Sequence, residues 1–425
     1  MRTLARSLAA ATTLLAALPA VATNYTVNSQ ADVPEVSAGN GTCDPEFAIE
    51  GVCTLRAAIQ EANAHVGADT IFLTAGQTYT LTRSGQDATA SRGDLDITDD
   101  VTIIFFASGD RPIVGANGLE RAFEIHSGNV TMLGFDITGG NATLAGDQAG
   151  GAVAVNFDAG TVQLSLMRMY GNRANFGGGL YNDGADTVLS ASELYDNEAD
   201  NDFTDSSGAA ILNRGTLVVD HSSAFDNTGT NGLGAVAVEN TPPFTGSPTL
   251  TLIDTTIATN LGIGVNSQDE SALVVRNSTI AANSNVGIRI GGPGGTFQMR
   301  NSIVAKNVGS DCIVSVSADL NLDRYNMDSD NTCELADGTS NYPGVEPYLT
   351  PLAAHDGFTR VAWPLTISPA IDLGHPVIGA IGCESDDQHF LDRPVDFDGN
   401  GNARCDVGAV ELDADVIFFD PFEIL

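Results

Sequence analysis

Carboxylates and carboxamides recur in this chain at spacings suited to two kinds of chemistry. In the run Asp396-Phe-Asp398-Gly-Asn400-Gly401-Asn402-Ala-Arg404-Cys405-Asp406, oxygen-bearing side chains occupy alternate positions and Gly stands at the sixth. Hard cations such as calcium need several oxygens converging at about 2.3–2.6 Å, and this pattern is that of a calcium loop. Its twelfth position is Val407 instead of Glu, so Asp406 or Glu411 would have to close the shell. The competing reading is a polar turn clamped by a disulfide. A second group, Asp196, Asp226, Asp220, His221, Asp254, Arg276 and Arg300, is dispersed along the chain. It can act together only if the fold stacks it.

A repeat supplies that stacking. Six stretches align without gaps on Asn172, Asn197, Asn227, Asn260, Asn283 and Asn307. Ten residues before each stands Val162, Thr187, Leu217, Leu250, Leu273 or Phe297, and eight before stands Leu164, Leu189, Val219, Leu252, Val275 or Met299. Three before lie Met169, Leu194, Ala224, Ile257, Ile280 and Val304. Five before, small hydroxyls dominate (Ser192, Ser222, Thr255, Ser278, Ser302), with Met167 the exception. Both couples of positions alternate with period two, as strands do, and the phase slips once between them, which marks a bend. A third strand follows each Asn in GGGLYN (177–182), GAAILN (208–213), GAVAVEN (234–240) and GIGVN (262–266).

Such units, without a helical pattern, predict an all-β solenoid, a parallel β-helix in which like residues stack about 4.8 Å apart. The Asn column then has a structural role, in left-handed turns and as a ladder of side-chain hydrogen bonds. Asp196 and Asp226 fall one above the other, close enough to hold calcium or to act as an acid/base pair. Asp220, His221 and Asp254 lie nearby, with Arg276 and Arg300 in the column of Asp220. A polysaccharide lyase would use calcium-binding carboxylates with a basic residue, and a polygalacturonase-like hydrolase several Asp with Gly-His-Gly and Arg-x-Lys. Neither set is complete: Arg289-Ile290-Gly291 lacks the Lys, and no His stands between glycines. There is also no G-x-S-x-G, P-loop or H-E-x-x-H.

Composition narrows the partners. Acidic residues number 54 against 18 basic ones, a net charge of −36. That excludes nucleic acid, whose phosphates need clustered Lys and Arg, and anionic lipid surfaces. It also repels polyuronates unless calcium bridges the two, whereas neutral glycans meet no such penalty. Residues 1–22 read as a secretory signal: Arg2 and Arg6, then an apolar run from Leu8 to Leu18, then Ala20-Val21-Ala22. No later segment is apolar over the ~20 residues of a membrane span. Six cysteines in an exported chain imply disulfides. Many pairings are open, and the sequence-local couples Cys43–Cys53, Cys312–Cys333 and Cys383–Cys405 are preferred.

The one helical pattern is TLRAAIQEANAH (54–65), with Leu55, Ala58, Ile59 and Ala62 on one face and Thr54 as N-cap. It sits where a solenoid needs a cap. Within it, CTLRAAIQEANA (53–64) resembles the CSLREA-type N-terminal motif of bacterial β-helix proteins, with Thr54 for Ser and Ala57 for Glu. The distal half is similar to the choice-of-anchor domain of the Q type, through NSIVAKN (301–307), Asp311-Cys312, EPYLTPLAAHDGFTR (346–360), SPAIDLG (368–374), DQ (387–388), Arg393-Pro394 and CDVGAVE (405–411). FFDPFE (418–423) looks like an acidic-aromatic tail of exported proteins of this kind, with Pro421 where Gly is usual. The resemblance implies a right-handed parallel β-helix of the pectin-lyase-like fold, exported and resident at or near the cell surface.

The expected organisation is a signal (1–22), a cap and first coils (23–100), central coils (101–310), C-terminal coils and cap stapled by disulfides (311–412), and a tail (413–425). The expected function is non-catalytic surface interaction or glycan binding, with Tyr170, Tyr181 and Tyr195 as aromatic contacts. The alternatives are a polysaccharide lyase or glycoside hydrolase using the stacked carboxylates, and a passive stalk.

Overall fold

A computed structural model describes residues 22–413 except 47–49, 144–147, 201–207, 231–234, 244–245, 316–317, 323, 336–339, 356, 380–381 and 398. Asp398, residues 1–21 of the signal and the FFDPFE tail therefore lie outside the described residues. The chain forms a right-handed parallel β-helix with three long sheets. Among the described residues the first sheet has 11 strands, the second 10 and the third 9. One coil visits them in turn, as in Thr249–Ile253, Thr256–Ala258 and Ile263–Ser267.

The ungapped alignment is the observed register. Val162 pairs with Thr187, Thr187 with Leu217, Leu217 with Leu250, Leu250 with Leu273 and Leu273 with Phe297. The phase slip is a single left-handed residue between the first and second sheets: Leu166, Ala191, His221, Asp254, Asn277 and Asn301 have φ of 42–52°. A second left-handed column stands just before the Asn ladder: Gly171, Asp196, Asp226, Thr259, Ala282 and Lys306.

The ladder forms as expected. Each Asn Nδ2 donates to the Oδ1 of the next, from Asn172 to Asn197 (3.0 Å), Asn227 (3.1 Å), Asn260 (2.9 Å), Asn283 (3.0 Å) and Asn307 (3.0 Å). Asp311 Oδ1 closes it, accepting from Asn307 at 3.0 Å. A second ladder on the third sheet runs from Asn182 to Asn213 to Asn240. Buried donors left unmade cost about 1–3 kcal/mol each, so these bonds fix the vertical register of the coils.

Helix α1 (Leu55–Ala64) caps the N-terminal end, and Thr54 accepts from the Ala57 N–H at 3.1 Å. Arg56 is fully buried: it pairs with Asp32 and donates to the carbonyls of Ala90, Gly93 and Asp94. Cys43, Cys312 and Cys383 are bridged to Cys53, Cys333 and Cys405, with Cα–Cα separations of 5.3, 4.7 and 6.6 Å. No described helix is long and apolar enough to cross a membrane.

The first sheet alternates buried and half-exposed residues, so its outer face is open. From Ser223 onward the second is buried on both faces, as Ser223–Phe225, Thr256–Ala258 and Thr279–Ala281 show. A sheet covered on both sides needs a second layer. Here that layer is the C-terminal segment from about residue 345 to 412, which runs back along the flank of the coils. Leu349, Ala362, Ala370 and Val407 pack on Ala281, Ile303 and Ala305. The approach is close at Gly408, where a Cβ would stand 2.9 Å from both Thr279 Oγ1 and Ile303 Cδ1.

Candidate functional site

The register brings part of the dispersed group together. Asp220, Ile253, Arg276 and Arg300 stack in one column at the end of the first sheet. His221 and Asp254 stack in the left-handed corner beside it. One ligating atom from each of Asp220, His221 and Asp254 lies within 4.8 Å of the other two.

The C-terminal segment closes over this corner. Asp254, fully buried, pairs with Arg393 at 3.3 Å, and the Arg393 side chain is itself fully buried. Arg393 also donates to the carbonyls of Asp406 and Gly408 and lies 3.8 Å from Glu411. Burial pushes the Asp254 carboxyl well above the usual carboxylate range despite Arg393, and Glu384, Asp220 and Asp387 add to the rise. The His221 ring stacks on Phe390 at 4.3 Å, its Nδ1 lies 2.8 Å from Asp220 Oδ1, and its carbonyl accepts from Thr359. Gln388 binds Thr256 and the Ser222 carbonyl. Asp254 and His221 are thus a dock for the chain's own distal segment. Of the dispersed group, Asp254 and His221 are covered by the C-terminal segment, while Asp220, Arg276 and Arg300 keep partly exposed side chains.

Asp196 and Asp226 are exposed turn residues with φ of 53°. Asp tolerates left-handed backbone, which accounts for its presence there. The neighbouring coils place Gly171 and Thr259 in that column, so no third carboxylate joins the two. The three tyrosines separate. Tyr170, Tyr195 and Phe225 stack at 5.0 Å intervals on the second sheet, with Arg360 of the C-terminal segment over Tyr195 and Phe225. Tyr181 is buried on the third sheet beside Ala154 and Leu212. A common aromatic platform of all three is therefore corrected.

In the 396–406 loop, Asp396 accepts from the Asn400 and Gly401 N–H groups, and Asn400 from Asn402. Asp406 is buried and turned to other partners, accepting from the Asp372 and Leu412 N–H groups, both at 2.8 Å. Glu411 accepts from Val395 and Asp406. Each of these two carboxylates, like Asp396, anchors backbone N–H groups. Burial raises both their pKa values.

Two open cavities lie among the described residues. One, of about 160 Å³, lies on the first sheet and is lined by Val274, Arg276, Gln298, Arg300 and Asn321. Glu384 stands 3.6 Å from Arg276 and 3.9 Å from Arg300. The other, of about 290 Å³, lies near the N-terminal cap and is lined by Gln86, Asp87, Asp94, Glu120, Arg121, Glu124 and His126. There His126 Nε2 lies 2.7 Å from Asp96, and Arg121 bridges Asp94 (3.2 Å) and Glu124 (3.0 Å). Burial, helped by Asp96, Glu124 and Glu120, lifts the Asp94 carboxyl to about 8 against the pull of Arg121. The Asp96 hydrogen bond raises His126. Sequence reasoning passed over this cluster. The signal was available: Asp96 and Glu124 are register partners in LDI (95–97) and FEI (123–125) of the third sheet, upstream of the aligned coils.

No protein-family model matches the chain, and no curated protein does. Among solved structures it is similar to a pectate lyase, Pel9A, at 15% identity and a TM-score of 0.40, over 93% of this chain and 98% of that one. The assignment of this chain to the right-handed parallel β-helices rests on its own strand register, and that fold is as far as the likeness reaches.

Proposed function

We propose that this is an exported, non-catalytic β-helix protein that binds neutral glycan on the open face of its first sheet, in keeping with the CSLREA and choice-of-anchor resemblance. One observation carries it: the C-terminal segment packs over the corner of Asp254 and His221, two members of the dispersed group, while Gln298 and Asn321 beside Arg276 and Arg300 stay open to solvent. Amide and guanidinium donors in a shallow groove suit sugar hydroxyls, and Glu384 offsets the arginine charge. The net charge of −36 disfavours polyuronates. Three disulfides are compatible with an extracellular setting. Calcium at Asp396, Asp398, Asn400, Asn402 and Asp406 belongs to the same proposal, as a stabiliser of the distal loop and not as a catalyst. A millimolar calcium titration that leaves the melting temperature unmoved would remove it.

The test is retention of mature protein on a panel of neutral and acidic polysaccharides, with mass spectrometry of any products. We expect retention by neutral polymers, lost in Arg276→Gln/Gln298→Ala, and no shortened chains. Retention that survives this variant contradicts the site.

A second reading, a hydrolase or lyase, is favoured by the N-terminal cavity. Burial raises the Asp94 carboxyl to about 8, so it holds its proton at neutral pH and can serve as a general acid. Products that disappear in Asp94→Asn would establish it.

A further inference from the structure

The corner beneath the C-terminal segment holds more acid than its docking uses. Arg393 engages only Oδ1 of Asp254, and Oδ2 is buried without a hydrogen-bond partner. His221 Nε2 is also buried without one. One ligating atom from each of Asp220, His221 and Asp254 lies within 4.8 Å of the other two, and Asp386 of the C-terminal segment brings its Oδ2 to 3.8 Å from His221 Nε2. Buried polar atoms are almost always satisfied, so two orphans in one corner mark a missing partner.

The imidazole is set up to receive one. Asp220 Oδ1 lies 2.8 Å from Nδ1, which places the proton there and leaves the Nε2 lone pair on the side of Asp386. Metal-binding histidines are held by a carboxylate in this way. Phe390, stacked on the ring, fixes its plane. We propose that His221 Nε2, Asp254 Oδ2 and Asp386 bind a transition-metal dication of the zinc class. The ion clasps the C-terminal segment to the coils, with Asp220 as the residue that positions the imidazole. A nitrogen donor among carboxylates selects zinc over calcium, which takes oxygen alone. Asp220 and Asp386 side chains are about one-third exposed (33% and 35%), so an ion can enter from the edge.

The experiment is zinc titration of chelator-stripped mature protein by calorimetry, with calcium in parallel and proteolysis of the 345–412 segment as a second readout. We expect one zinc per chain, slower cleavage of that segment with zinc, and affinity about tenfold or more weaker in both Asp386→Asn and His221→Gln. Asp386 sits on the surface of the segment, so its variant folds. Wild-type protein that takes up no zinc overturns the proposal. So does uptake unchanged in either variant, because the clasp needs a ligand from each side. Neither readout involves glycan, so the clasp stands or falls apart from the proposed function.

Discussion

The coils from Val162 to Asn307 and the segment from 345 to 412 are held by opposite means. The coils repeat one small solution: an apolar column, a left-handed corner, an Asn that bonds the next Asn. The bonds of the Asn ladder are local to neighbouring coils and of the same kind. The C-terminal segment has no repeat. It is anchored by single, unlike contacts across long sequence distances: Arg393 to Asp254, Gln388 to Thr256, Phe390 to His221. A ladder spreads its stability over many equal bonds, whereas a dock concentrates it in a few buried charges. Residues that look like an active set in the sequence are, on this account, that dock.

The sharpest break in the comparison is Arg393→Met. It leaves Asp254, Glu411 and Asp406 buried without their cation, which costs about 3–5 kcal/mol, taken from docking of the segment. Limited proteolysis should then cut 345–412 while the coils resist. Asn227→Ala comes next. It removes acceptors for Asn197 and donors to Asn260, Leu194 and Phe225. We expect about 1–3 kcal/mol lost in the coils, read by urea denaturation, with the fold retained because the other rungs remain.

A smaller effect separates the regions by pH. Asp254, Asp406 and Glu411 all have carboxyls raised by burial. A raised carboxyl binds its proton more tightly folded than unfolded, so its contribution is full below the ordinary carboxylate range and is lost as pH climbs through the folded value. Segment cleavage should therefore speed up as pH rises above the ordinary carboxylate range. The Asn ladder does not titrate and should be indifferent. Smallest of all, Asp196→Asn exchanges one exposed left-handed turn residue for another, and should move the melting midpoint by less than about 0.5 kcal/mol equivalent.

The sequence made the coils readable because repetition multiplies a weak signal. Six Asn and three apolar columns predicted the register residue by residue, and Thr54 announced the capping helix. The dock was not readable. Arg393 and Asp254 are 139 residues apart with no period linking them. One hint was present: the second-strand triplets SAF (223–225) and two copies of TIA (256–258, 279–281) lack the charged outward residues of an open sheet. Small and apolar residues on both faces call for a cover. The His126 cavity was missed because its rungs precede the aligned coils, where loops of unequal length hide the spacing.

The most direct measurement is hydrogen exchange by mass spectrometry on wild type and Arg393→Met. The account predicts that peptides from 345–412 and the His221–Asp254 corner lose protection together, while peptides spanning the Asn172–Asn307 ladder keep theirs. Loss of protection in ladder and segment alike, or in neither, would contradict it.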